Sequence, residues 1–169
     1  MILFKAVQTK YLSSWADYTK TSSFRNGARW NKPNVPALYT SANVQNAMLE
    51  IANYSLTPSM ANSLYTMAVF EFPELRLKTI EPAELPAKWS HRDHKLSVKN
   101  AGNKYLTSKD WEGIVVPSVT IHHAIATHPI NAIRQSVYAN VIVNLEQIGI
   151  DNIKLIDTFS PIYSEAMFA

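Results

Sequence analysis

The apolar run from Ile2 to Val7, interrupted only by Lys5, reads as a short opening strand, and the Ser/Thr-rich stretch from Thr9 to Ser23 has no period and predicts a surface loop. Further on, Val44, Ala47, Met48 and Ile51 recur at i, i+3, i+4 and i+7, which predicts a helix over about 43–54 with Ser41 as its N-cap. Tyr65 to Phe72 alternates as a strand stopped by Pro73, and Leu75 to Ile80 alternates again. Residues 81–104 carry Pro82, Pro86, Gly102 and the run His91-Arg92-Asp93-His94, which predicts mostly loop ending in a short helix toward Ser108. Gly113 to Val119 predicts a buried strand broken at its end by Pro117. The apolar spacing of Ile130 to Gln147 fits a helix, Val141 to Leu145 fits a strand as well, and Ile153 to Phe159 closes with strand character. Isolated helices set between strands, without repeat or linker, predict one α+β domain over 1–169 rather than alternating βαβ units.

At 169 residues the chain is long enough to bury a core without metal or disulfide. It has no Cys, which excludes thiolate nucleophiles, disulfides and Cys-based zinc sites. The composition, 47% hydrophobic and 17% charged, is that of a globular protein, and no run reaches the length of a membrane span. Lys5 and Gln8 interrupt the opening apolar residues, so a secretory signal is not expected and the expected location is cytoplasmic. The net charge of +3 favours anionic ligands. The basic residues are scattered and the tryptophans are not interleaved with them, so a nucleic-acid surface is not expected. The five His lack metal-ligand spacing: His122 and His123 would point to opposite faces of a strand, and no metal is expected. Trp30, Trp89 and Trp111 read as packing anchors.

Candidate chemistry lies in an ordered set. Arg29 follows Gly27-Ala28 and offers a planar fork for a diphosphate, Tyr39 at a strand end offers a stacking face, and Glu50 offers a helix-borne carboxylate. At 3.6 residues per turn Glu50 lies about 110° from the centre of its helix's apolar stripe, in line with Asn46 and Tyr54. There a carboxylate reaches a cleft without crossing the core. The order points to a pocket for a phosphorylated ligand.

Gly27-Ala28-Arg29-Trp30-Asn31, Leu38-Tyr39-Thr40-Ser41, Leu49-Glu50, Val116-Pro117-Ser118 and Asn140-Val141-Ile142-Val143-Asn144 occur in the order seen in RES-domain proteins, which the chain resembles over nearly its whole length. Leu85-Pro86 with Trp89, and Gly102 with Tyr105-Leu106, are further landmarks. The resemblance implies a mixed β-sheet core with flanking helices, similar to the ADP-ribosyltransferase-like fold. It implies a toxin whose partner is an Xre-type antitoxin or an immunity protein, and an enzyme that consumes NAD as substrate by phosphorolysis or hydrolysis, with inorganic phosphate as co-substrate in the first case and no cofactor. The chain departs from the family at Lys5, where Arg is common, at Ala28, where Gly is common, and at Leu145, where Pro is common. It also carries an insertion over about 120–139, and Tyr163-Ser164-Glu165-Ala166 replaces a closing Asp-Pro-Arg-like stretch.

NAD chemistry suits this residue set. The nicotinamide nitrogen is already cationic, so the leaving ring departs neutral without a general acid, and one carboxylate suffices where glycoside hydrolysis needs two. On the resemblance, Glu50 would hold the ribose and stabilise oxocarbenium-like charge. Arg29 would bind the diphosphate, with Lys5 as a point charge nearby. Tyr39 would stack on the nicotinamide, Ser118 would donate to a phosphate or an incoming acceptor, Trp30 would wall the pocket, and Asn140 and Asn144 would supply hydrogen bonds. Two alternatives stay open: transfer of ADP-ribose to a protein from the same pocket, and a degenerate module that binds a nucleotide or a partner without turnover.

Overall fold

The computed structural model describes residues 1–53, 57–92, 96–160 and 163–164. Among these the strands are β1 (Ile2–Gln8), β2 (Ala37–Ser41), β3 (Tyr65–Glu71), β4 (Leu77–Thr79), β5 (Gly113–Val116), β6 (Asn140–Asn144) and β7 (Lys154–Phe159). The α-helices are α1 (Ser22–Asn26), α2 (Val44–Ala52), α3 (Pro58–Leu64), α4 (Leu96–Leu106), α5 (Asn131–Val137) and α6 (Leu145–Ile148). The seven strands form one sheet in the order β4-β5-β6-β2-β1-β3-β7, with β4 and β5 parallel and the other pairs antiparallel. The mixed sheet with helices packed against it is the α+β architecture the pattern predicts.

Pairing along this sheet is uneven. β1 runs beside β3 over seven residue pairs and β2 beside β6 over five, but β1 and β2 meet at the single pair Phe4↔Ser41. The sheet is therefore two halves joined at one point, and the gap beyond that point exposes strand edges to whatever fills it. Trp30, Val35, Ile80, Val98, Leu106, Ile114 and Ile142 form a core beside β5 and β6. Leu3, Phe70, Phe72, Val141 and Val143 form a second. Ala47, Ala61 and Met67, with Phe4 and Ile51 packed on them, form a third where α2 and α3 meet β1 and β3.

Several elements depart from the pattern. The aperiodic stretch after β1 folds into 3-10 turns at Thr9–Ser14 and Tyr18–Lys20 and into α1, held by local polar bonds such as the Thr21 hydroxyl accepting from Phe24 N. The short helix expected toward Ser108 is the longer α4, which begins at Leu96, ends at Leu106 and buries Val98, Gly102 and Leu106 at i, i+4 and i+8; a glycine in that stripe hides the helical period. The ambiguous 130–147 piece is three elements, α5, β6 and α6. The strand expected to reach Val119 stops at Val116, because Pro117 has no N–H to continue the ladder. Asn43, not Ser41, caps α2, its Oδ1 accepting from Asn46 N at 2.8 Å, while Ser41 ends β2. Tyr54, His94, Glu165 and Ala166 lie outside the described residues.

Gly102 sets how close α4 comes to the segment carrying Arg29. A Cβ at this position would lie 2.2 Å from the Trp30 carbonyl oxygen and 2.7 Å from Trp30 Cβ. Backbone cannot yield as a flexible side-chain tip does, so this overlap outweighs the roughly 1 kcal/mol that Ala normally adds to a helix over Gly. Gly102→Ala is expected to destabilise the fold by about 1–3 kcal/mol. Urea titration should show a lower midpoint at unchanged slope, and an equal or higher midpoint would contradict the close contact.

Candidate active site

The gap between β1 and β2 opens into a cavity of about 660 Å³. Its walls include Lys5 from β1, Arg29 and Trp30 from the loop after α1, Tyr39 from β2, Glu50 from α2, Arg92 and Asn140. Three cations and one carboxylate thus come together from four separate stretches of chain. Each reaches the cavity through identifiable local structure.

Lys5 crosses the gap in the sheet. Its Nζ donates to the Tyr39 carbonyl at 2.9 Å, satisfying an acceptor that the β1–β2 ladder does not reach. Burial pulls the Lys5 ammonium down from its ordinary value to about 8.

Arg29 is held by a knot of backbone bonds. Gly27 ends α1 with φ 69° and ψ 169°, a conformation essentially restricted to glycine, and Ala28 N donates to the Asn31 carbonyl. Tyr39 ties this loop down: its hydroxyl accepts from Trp30 N at 3.0 Å and donates to Asn31 Oδ1 at 2.8 Å. Asn31, fully buried, returns its amide to the Ser23 and Lys32 carbonyls. From this base Arg29 Nη1 donates to the carbonyls of Trp89 and His91, both at 2.7 Å. The guanidinium therefore also anchors the loop that carries Arg92 to the cavity wall.

Glu50 sits at the centre of a polar network. Asn140 Nδ2 donates to its Oε1 at 2.7 Å and Ser118 Oγ donates to the same oxygen at 2.9 Å. Strand register brings these donors together, because Asn140 lies opposite Ser41 on β2 and opposite Val116 on β5, two residues before Ser118. After Pro117 the chain turns, with Ser118 N donating to the Val137 carbonyl and Thr120 N donating to Ser118 Oγ. Behind Asn140, Asn46 Nδ2 bonds Asn140 Oδ1 at 2.7 Å and Ser41 Oγ at 2.9 Å. Both donors to Glu50 land on Oε1, so among the described residues Oε2 accepts no hydrogen bond.

The residues singled out in the sequence divide by placement. Lys5, Arg29, Trp30, Tyr39, Glu50 and Asn140 share the cavity. Trp30 is 2% exposed and contributes mainly to the core, where it packs on Trp89. Ser118, also 2% exposed, is outside the cavity lining, and its hydroxyl bonds Glu50 and Thr120. Asn144 is placed apart from the cavity as well. It caps α6 through Glu146 N and Gln147 N, donates to the Leu106 carbonyl, and does not line the cavity. Sequence reasoning missed Arg92, hidden in a loop without pattern, and the roles of Asn46 and Thr120. Asn46 carried one signal, its i, i+4 spacing from Glu50 on α2.

Comparison with known proteins places the chain among relatives of one kind. The model of the family described as "RES domain" matches residues 2–141. "Toxin Res" of Photorhabdus laumondii subsp. laumondii is 24% identical over 122 residues, covering 72% of this chain and 76% of that protein. The crystal structure of the M. tuberculosis MbcT–MbcA toxin–antitoxin complex contains a similar chain with a TM-score of 0.63 and 15% identity, covering 95% of this chain and 83% of that one. At that identity the likeness shows the shared fold.

The lowered Lys5 value has a measurable consequence for folding. Between about pH 8 and the unfolded value of 10.5, the unfolded chain binds more protons at this site than the folded protein, so stability contributed by Lys5 rises with pH across that window. Relative to Lys5→Met, the wild type is expected to become more stable by up to about 2 kcal/mol between about pH 7 and about pH 10. Urea unfolding of both proteins across this range checks it. A difference that stays flat with pH would show that the ammonium is not desolvated.

Proposed function

The chain belongs to the RES-domain family, and we propose that it is an NAD-consuming toxin that breaks the bond between nicotinamide and its ribose. The carrying observation is that Glu50 and three cations, Lys5, Arg29 and Arg92, line one cavity. This charge layout suits a dinucleotide with a negative diphosphate at one end of its reacting half and a pyridinium at the other. The volume, about 660 Å³, lies within the range of small-molecule sites.

In this reading Arg29 and Lys5 offset the diphosphate charge, with Arg92 a third cation at the wall. Tyr39 presents its ring to the nicotinamide while its hydroxyl keeps the Arg29 loop in place. Glu50, steadied at Oε1 by Ser118 and Asn140, turns Oε2 to the ribose and stabilises the positive charge that develops there. The C1′–N bond breaks with its electron pair moving onto the pyridinium nitrogen, so nicotinamide leaves neutral. Water then adds to C1′ and loses a proton, or a phosphate oxygen adds instead and yields phosphorylated ADP-ribose.

The printed descriptions of the relatives, a toxin and a toxin–antitoxin complex, support a toxin role and an antitoxin partner for this chain. Among the described residues no helix is long and apolar enough to cross a membrane, and the NAD pool of the cytoplasm is the proposed site of action. A second reading, transfer of ADP-ribose to a protein, is favoured by one observation: the segment after Val119 on the cavity wall exposes Ile121, Ile130 and Ile133, apolar surface suited to a protein acceptor.

Purified protein incubated with NAD, with and without phosphate, should release nicotinamide. Glu50→Ala and Arg29→Ala should lower the rate by about 10²–10³-fold at unchanged folding. Asn144→Ala should lower stability by about 1 kcal/mol, with the rate per folded molecule unchanged. No nicotinamide under either condition sinks the reading. Phosphorylated ADP-ribose appearing only with phosphate selects phosphorolysis, and label passing from NAD into lysate protein selects transfer.

A further inference from the structure

We propose that Asn46 is a positioning residue that fixes which way round the Asn140 amide sits, and through it fixes Glu50. The proposal rests on the reading of Glu50 as the acid of the site. Asn46 is 5% exposed and does not line the cavity, so it acts on other side chains rather than on a ligand.

The argument starts from the carboxylate. An ionised Glu only accepts hydrogen bonds, so the end of Asn140 that faces Oε1 at 2.7 Å must be its amine. The Asn140 carbonyl then points the other way and requires a donor. Asn46 Nδ2 supplies it at 2.7 Å and places a second N–H on Ser41 Oγ at 2.9 Å. Ser41 is buried at the end of β2, directly opposite Asn140 across the sheet. The last torsion of an Asn side chain has a broad, roughly two-fold preference, so the β6 backbone alone does not choose between the two orientations. Reversed, Asn140 would set its oxygen against the Glu50 oxygen, acceptor against acceptor. Asn46 excludes that state because its own amine faces Asn140.

The sequence spacing makes this possible. Asn46 and Glu50 are i and i+4 on α2, neighbours on one helix face, and Asn140 bridges them from the adjacent strand. The Asn43 cap on Asn46 N secures the first turn of α2 beneath them. Lys5, Arg29, Tyr39 and Arg92 are the ionisable groups that share the cavity with Glu50, and none of them is bonded to Asn46 or Asn140.

NMR of the full-length ¹⁵N-labelled protein tests the inference. In the wild type Glu50→Gln should shift the Asn140 side-chain amide resonances. In the background of Asn46→Leu, close in size but unable to donate, and of Asn46→Ala, the same change should leave them unmoved while the protein remains folded. In both variants kcat for nicotinamide release should fall about 10-fold or more while KM moves less than about threefold. A folded variant that keeps the Asn140 response, with kcat within about threefold of wild type, overturns the proposal. A wild-type Asn140 signal that ignores Glu50 overturns it even if neither variant folds. If the wild type releases no nicotinamide, the reading of the site fails, and the NMR comparison still decides the role of Asn46.

Discussion

Everything at the site depends on β1 and β2 parting after a single shared pair. Elsewhere these strands are fully engaged, β1 with β3 and β2 with β6, so the sheet stays intact while leaving a wedge between its halves. Unpaired strand edges attract other polar groups, and here Lys5 bridges the wedge to the Tyr39 carbonyl while the cavity takes up the remaining space. The same feature that lowers the proton affinity of Lys5 also holds a cation where an anionic ligand would enter. A continuous ladder would remove the cavity and the strand-edge acceptor together.

Positive and negative groups of the site are held by different means. Arg29 donates to the backbone carbonyls of Trp89 and His91, and its loop is held through the Tyr39 hydroxyl and the Asn31 amide. Glu50 is likewise held by neutral donors, Ser118 and Asn140, rather than by an arginine or lysine. A salt bridge between Arg29 and Glu50 would cancel the field that a ligand carrying both a diphosphate and a pyridinium needs. Holding Glu50 on neutral donors is preorganisation: the dipoles are in place before a ligand arrives. The ion pairs Lys78–Glu84 and Arg76–Glu112 lie outside the cavity lining.

Two of the expected site residues lie off the cavity wall for one reason. Ser118 and Asn144 both stand at strand ends beside loops, where a polar residue can serve either a ligand or its own backbone and neighbours. Pro117 ends β5, and the turn it forces points the Ser118 hydroxyl inward at Glu50. At the far end of β6 the start of α6 leaves amide N–H groups open, and Asn144 satisfies them. Helix α4 was hard to read for a similar reason, since its stripe uses Gly102 to meet the Trp30 backbone rather than a large apolar side chain.

Local patterning by itself determined the amphipathic helix carrying Glu50, the strands β1, β3 and β7, the α+β class and the border position of Glu50 beside Asn46, because these follow from short apolar runs and from spacings of two and about 3.6 residues along a local stretch. The order of Gly27-Arg29, Tyr39 and Glu50 suggested a shared pocket but not its walls. Only the tertiary structure decided that Arg92 joins them, that Ser118 faces the carboxylate, that Asn144 caps α6 off the cavity wall, and that Asn46 and Asn140 are linked end to end. Those outcomes depend on strand register and on loops crossing between distant segments, and hydrogen-bond polarity is settled by which groups meet in space, which no local pattern encodes.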